Sequence, residues 1–83
     1  MKMTQKAFRE RCEPIAKFDE NGSQAQAVHF GAMVVRPLHA PTGVSLGNML
    51  VSVTVEDSLL CRGRFNQIVT HALHVLNNRL AYK

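Results

Sequence analysis

His71 and His74 stand three residues apart. On a helix that spacing brings two imidazoles within reach of one metal ion, with His29 or His39 as a third ligand. No cysteine pair or carboxylate lies near them in sequence. Structural zinc sites bring four ligands at recognisable spacings, so the two histidines read as solvated or partner-contacting side chains. No metal and no cofactor is expected. Cys12 and Cys61 are nucleophiles by residue type alone, because a working cysteine needs a histidine and an orienting group beside it. Both fall in segments that read as helical and semi-buried, as free cysteine usually is, and two cysteines are too few for a disulfide framework. The carboxylates come as Glu10/Glu13, Asp19/Glu20 and Glu56/Asp57. Helix-face, turn and cap positions account for them without general acid–base roles. Gly43 and Gly47 do not form a phosphate loop, since Asn48-Met49 follows where Lys-Ser/Thr is required. The aromatics, Phe8, Phe18, Phe30, Phe65 and Tyr82 with no Trp, offer no stacking platform for single strands. Nothing here makes an enzyme.

What remains is charge. The chain of 83 residues carries a net charge of +4. Residues 1–57 hold six basic and six acidic side chains, whereas residues 58–83 hold Arg62, Arg64, Arg79 and Lys83 and no acid. The whole excess therefore sits at the C-terminal end, which favours an anionic partner: a nucleic acid, or an acidic or nucleic-acid-binding protein face.

The elements that position these residues follow from pattern. Thr4 can cap a short helix to Glu13, with Met3 and Phe8 at the two positions of a hydrophobic staple and Pro14 as the stop. Ile15–Asp19 reads as a short strand, followed by the turn signal Asn21-Gly22. Gln24–Arg36 reads as one longer strand, with Val28, Phe30, Ala32 and Val34 on one face and Gly31 marking a bulge or close approach. Pro37–Asn48 is irregular. Met49–Glu56 is the clearest strand: Met49, Val51, Val53 and Val55 alternate with Leu50, Ser52, Thr54 and Glu56, giving one dry face. Asp57 or Ser58 then caps a long helix to Lys83. Cys61, Phe65, Ile68, Val69, Ala72, Leu73, Val75, Leu76 and Leu80 fall on its apolar arc. Arg64, Gln67, His71, His74 and Asn78 form a polar stripe opposite, while Arg62 and Arg79 lie near the apolar edge and must snorkel or mark the helix ends.

The expected fold is a single α+β domain over residues 1–83. It has a short N-terminal helix, an antiparallel sheet of two to three strands, and a long C-terminal amphipathic helix packed on one face, in the order α-β-β-β-α. A chain this size buries only ~60% of its unfolded surface, so pairing with a second copy through a strand edge would help it. No apolar run reaches the ~18 residues of a membrane span. The N-terminus lacks the apolar core of a secretory signal, so a cytoplasmic protein is expected. The element order resembles that of double-stranded-RNA-binding domains. The resemblance is one of topology only: Ser58-Leu59-Leu60-Cys61-Arg62-Gly63-Arg64 stands where those domains carry a lysine run, and Val53-Thr54-Val55-Glu56 where they carry a glycine-rich approach.

The function expected is therefore that of a small, non-enzymatic interaction protein. An inhibitor that occludes a partner's surface fits best, as anti-CRISPR and other anti-defence proteins of phages and mobile elements do. The alternative is direct nucleic-acid binding by the C-terminal helix. Arg62, Arg64, Gln67, His71, His74, Asn78 and Arg79 are the expected contacts, being rich in Arg and poor in Lys and Glu, as interfaces are.

Overall fold

The chain begins its first element where Thr4, in an extended conformation, turns its hydroxyl to accept from the Ala7 amide at 3.1 Å. That satisfies one of the orphan amides of helix α1, Gln5–Cys12. Met3 and Phe8 both join the core, as the staple positions require. Pro14 ends the α-helix, and Glu13–Ala16 continues as a 3₁₀ turn that buries Ile15. The strand expected over Ile15–Asp19 is thus not formed at its start. Its remainder, 17–19, lies outside the residues described in this computed structural model, which are 2–16, 27–38 and 44–81.

Among the described residues the sheet has four antiparallel strands in the order β1-β2-β3-β4: β1 Val28–Phe30, β2 Met33–Pro37, β3 Leu50–Val55 and β4 Ser58–Arg64. Helix α2, Phe65–Ala81, follows directly. The α+β class and the order helix, sheet, helix stand, with more strands than the expected two to three. The extra strand also separates this fold from the three-stranded pattern of double-stranded-RNA-binding domains.

Two corrections account for the strand count. The run up to Arg36 is a hairpin rather than one strand. Phe30 pairs with Met33, and Gly31, at φ +63, is the first of two turn residues. A Cβ at Gly31 would meet nothing within 4 Å, so the glycine serves the backbone angle and not a close approach. A two-residue turn shifts the alternation, so the core residues are Val28 and Phe30, then Met33 and Val35. The second correction concerns residues 57–64. Glu56 and Asp57 both take positive φ, 51° and 68°, the signature of a type I′ hairpin turn. They cap no helix, and Ser58–Arg64 runs back along β3. A bulge falls where Val53 pairs with Cys61 and Thr54 with Leu59, leaving Leu60 as the extra residue. Leu60 and Cys61 consequently both pack against the core. That breaks the period-two pattern and leaves an apolar run that continues into the helical spacing of Phe65, Ile68 and Val69.

The core lies between one face of the sheet and the two helices. Met33, Val35, Val51 and Val53 supply the sheet side, and Phe65, Val69, Ala72 and Leu76 the α2 side. Phe8 stacks on Phe30 at 4.8 Å and lies 6.0 Å from Phe65, tying α1 to β1 and to the start of α2. Arg11 lies over the Phe30 ring at 4.5 Å and donates to the His29 carbonyl at 2.9 Å. Arg9 lies over Phe65 at 5.4 Å and donates to Asn66 Oδ1 at 2.7 Å. Asn77 closes the other end of α1, accepting from the Met3 amide at 2.8 Å and donating to the Met3 carbonyl at 3.0 Å. Among the described residues no helix is long and apolar enough to cross a membrane.

Candidate functional site

With one face of the sheet committed to the core, the other is set by register. Arg36 pairs with Ser52, and Ser52 with Arg62. One step along, the Leu38 amide donates to the Leu50 carbonyl at 2.9 Å, and Leu50 pairs with Arg64. One step the other way, Val34 pairs with Thr54 and Thr54 with Leu59. These nine residues alternate with the core positions. Arg36, Leu38, Leu50, Leu59, Arg62 and Arg64 are exposed, while Val34, Ser52 and Thr54 are half-buried and the Thr54 hydroxyl is buried without a hydrogen-bond partner among the described residues. All three large apolar side chains that the described surface exposes, Leu38 at 45%, Leu50 at 38% and Leu59 at 59%, lie here. Arg36, Arg62 and Arg64 are exposed beside them. Arg36 and Arg62 sit two strands apart, roughly 10 Å, and Arg62 and Arg64 about 7 Å apart along β4. The nine include no carboxylate and no lysine.

The expected contact residues divide among three places. Arg62 and Arg64 lie on the open sheet face. Gln67, His71, His74 and Asn78 form an exposed stripe on α2. It lies opposite the helix's buried side, and so faces away from the sheet. His74 Nε2 and Asn78 Nδ2 are 3.2 Å apart in that stripe. Arg64 is not part of it, because it belongs to β4. Arg79 lies on the flank of α2, where it donates to Glu56 Oε1 at 2.9 Å. This is the only ion pair among the described residues. Arg36, Leu38, Leu50 and Leu59 are the additions that the strand register makes. Leu50 carried a usable signal, being a large apolar residue in the otherwise polar phase of β3.

Neither thiol is set up as a nucleophile. Burial pushes Cys12 up to about 12, against the opposing charge of Arg11, and raises Cys61 as well, so the reactive thiolate is scarce near neutral pH. Among the described residues no three of His, Cys, Asp and Glu come together in a group fit to hold a metal ion.

Comparison with models of known protein families, with curated proteins and with solved structures finds no significant match to this chain.

Proposed function

We propose that this protein is a non-enzymatic, cytoplasmic binding domain that acts by laying the open face of its sheet on a partner protein and blocking it. One observation supports this above the others: among the described residues, the three exposed large apolar side chains and three exposed arginines share one face of the sheet. Leucines at the centre of a contact supply apolar burial, and arginines supply directional hydrogen bonds to carboxylates. The complementary partner surface is an apolar patch with acidic residues around it. A small inhibitor of the phage or mobile-element anti-defence kind, an anti-CRISPR for example, works by such occlusion. The polar stripe of Gln67, His71, His74 and Asn78 is a second contact surface on the opposite side.

The test compares two variants in pull-downs from native cells. Arg62→Glu/Arg64→Glu alters the sheet face, and Gln67→Ala/His71→Ala/Asn78→Ala alters the helix stripe. The proposal expects the first to lose the captured partner while staying folded by circular dichroism. Undiminished capture by a folded sheet-face variant refutes it and, if the stripe variant fails, moves the site to α2.

Direct nucleic-acid binding is the second reading, favoured by the absence of carboxylates beside Arg36, Arg62 and Arg64. Three phosphate contacts at ~0.9 counterions each give a shallow salt dependence. The exposed leucines have no role in it. Absence of a gel shift on duplex or single strands at ~50 mM salt removes this reading.

A further inference from the structure

We infer that the outer edge of β4, which no described strand pairs with, is a docking site for an extended acidic segment of the partner protein, added to the sheet as a further strand. The inference rests on the proposed function and specifies how the partner is held.

The sheet has two edges, and they differ. The β1 edge is three residues long, and its outward His29 carbonyl is occupied by the Arg11 guanidinium at 2.9 Å. The β4 edge is seven residues long, and none of its residues is buried, although Val51 and Val53 beside it are fully buried. Its hydrogen-bonding phase follows from the ladder. The Phe65 amide donates to the Met49 carbonyl at 2.9 Å. Antiparallel pairs alternate between bonded and non-bonded, so Gly63 and Cys61 bond to β3. The amides and carbonyls of Arg62 and Arg64 therefore point outwards, away from the sheet.

A second copy of this chain is a poor occupant. Any antiparallel pairing of β4 with itself that uses both residues sets Arg62 or Arg64 opposite one of the same arginines, which is unfavourable. Charge complementarity selects acids instead. Arg62 and Arg64 lie on the same face two residues apart, so carboxylates at alternate positions of an added strand fall beside them. Between them Gly63 faces the other way and offers no side chain. A Cβ there would stand 3.3 Å from Ile68 Cγ2, so an apolar side chain of the incoming strand would find Ile68 at this point. The segment recognised therefore reads acid–apolar–acid in extended conformation. The pairing is strand addition, in which main-chain hydrogen bonds give affinity and alternate side chains give selectivity.

The experiment titrates the full, isotope-labelled chain with a capped synthetic peptide containing Glu-Val-Glu-Val, followed by NMR and amide hydrogen exchange. Binding is expected to slow exchange at the Arg62 and Arg64 amides. N-methylating the two peptide amides aimed at β4 should weaken binding about tenfold, the loss expected for two net hydrogen bonds. N-methylating the alternate amides should leave it unchanged, and replacing Glu by Lys should remove it. Equal binding by both methylated peptides, or no slowing at Arg62 and Arg64, overturns strand addition. So does absence of binding at ~1 mM, the weak end of measurable affinity. If strand addition fails while Arg62→Glu/Arg64→Glu still loses the captured partner, occlusion by the sheet face stands without it. If the double variant keeps its partner, the occlusion reading itself fails.

Discussion

Arg79, in the last turn of α2, reaches back to Glu56 in the turn between β3 and β4 and closes the contact at 2.9 Å. The two residues lie 23 apart in sequence, and their pairing joins the tip of the hairpin to the far end of the helix packed on it. Both side chains are well exposed, 42% and 70%, which limits the strength of the contact. A double-mutant cycle with Arg79→Ala and Glu56→Ala in urea should give a coupling of about 0.2–1 kcal/mol. That coupling should vanish near 1 M salt, where the screening length falls to ~3 Å. A larger, salt-insensitive value would mean that the pair is desolvated.

Gly63→Ala separates the strand from the helix by sign. In a helix spanning Asp57–Lys83 the change would stabilise by ~1 kcal/mol through propensity. In β4 the residue has φ +150, and an added Cβ comes 3.3 Å from Ile68 Cγ2. Strain in a region that side chains avoid costs of order 1–3 kcal/mol, so a loss of that size is expected in a urea titration.

Asp57→Gly should act in the opposite direction. Asp57 holds φ +68 as the second central residue of its turn, a conformation that glycine adopts without a steric penalty. A gain of roughly 0.5–1 kcal/mol is expected, less than the ~1–2 kcal/mol cost of a left-handed residue because Asp tolerates that region better than most. Thermal unfolding reads it directly.

Cys12 imposes a pH dependence. Its thiol is raised from 9.0 to about 12 in the folded protein. Between those values the unfolded chain gives up the proton and the folded chain keeps it. Stability contributed by the protonated thiol is complete below pH 9.0 and is lost progressively as pH rises towards about 12. Cys12→Ala should flatten the stability profile across that window while lowering its level. At pH 8 a thiol reagent should modify the half-exposed Cys61 well before the buried Cys12.

Phe8→Ala should unfold the domain. Phe8 is fully buried and stacks on Phe30, and truncations of this kind cost ~3–5 kcal/mol, comparable to the whole stability of a small domain. Phe8→Leu keeps most of the volume and should leave a folded but weakened protein. Near-ultraviolet circular dichroism and urea midpoints distinguish the two.

The sequence was most readable where one physical signal acted alone. Thr4, Met3, Phe8 and Pro14 specify α1 through local capping and sterics, and Val51, Val53 and Val55 specify the dry face of β3 through strict alternation. It was least readable at 56–64. There two residues in positive φ, neither of them glycine, make the turn, and a bulge places Leu60 and Cys61 on one side. A strand so interrupted merges with the helix pattern after it. Gly31 gave a true signal of backbone irregularity, but a turn and a bulge look alike until pairing is known. The contact residues were legible as types and not as a surface. Arg62 and Arg64 share a face with Arg36 only through pairing across β3, and no local pattern contains that information.

The bulge at Leu60 makes the location of positive charge a matter of counting. From the turn, Ser58 and Leu59 match Val55 and Thr54 in step, and Cys61, Arg62 and Gly63 then match Val53, Ser52 and Val51. Pair Leu60 in step with Val53 instead, leaving no residue over, and Arg62 falls opposite Val51 and Arg64 opposite Met49, both on the core side. Net charge, composition and sequence would be the same, yet two guanidinium groups would be aimed into a dry interior that rejects them. Whether Leu60 is left out of the ladder or paired within it thus decides whether these arginines face a partner or oppose folding.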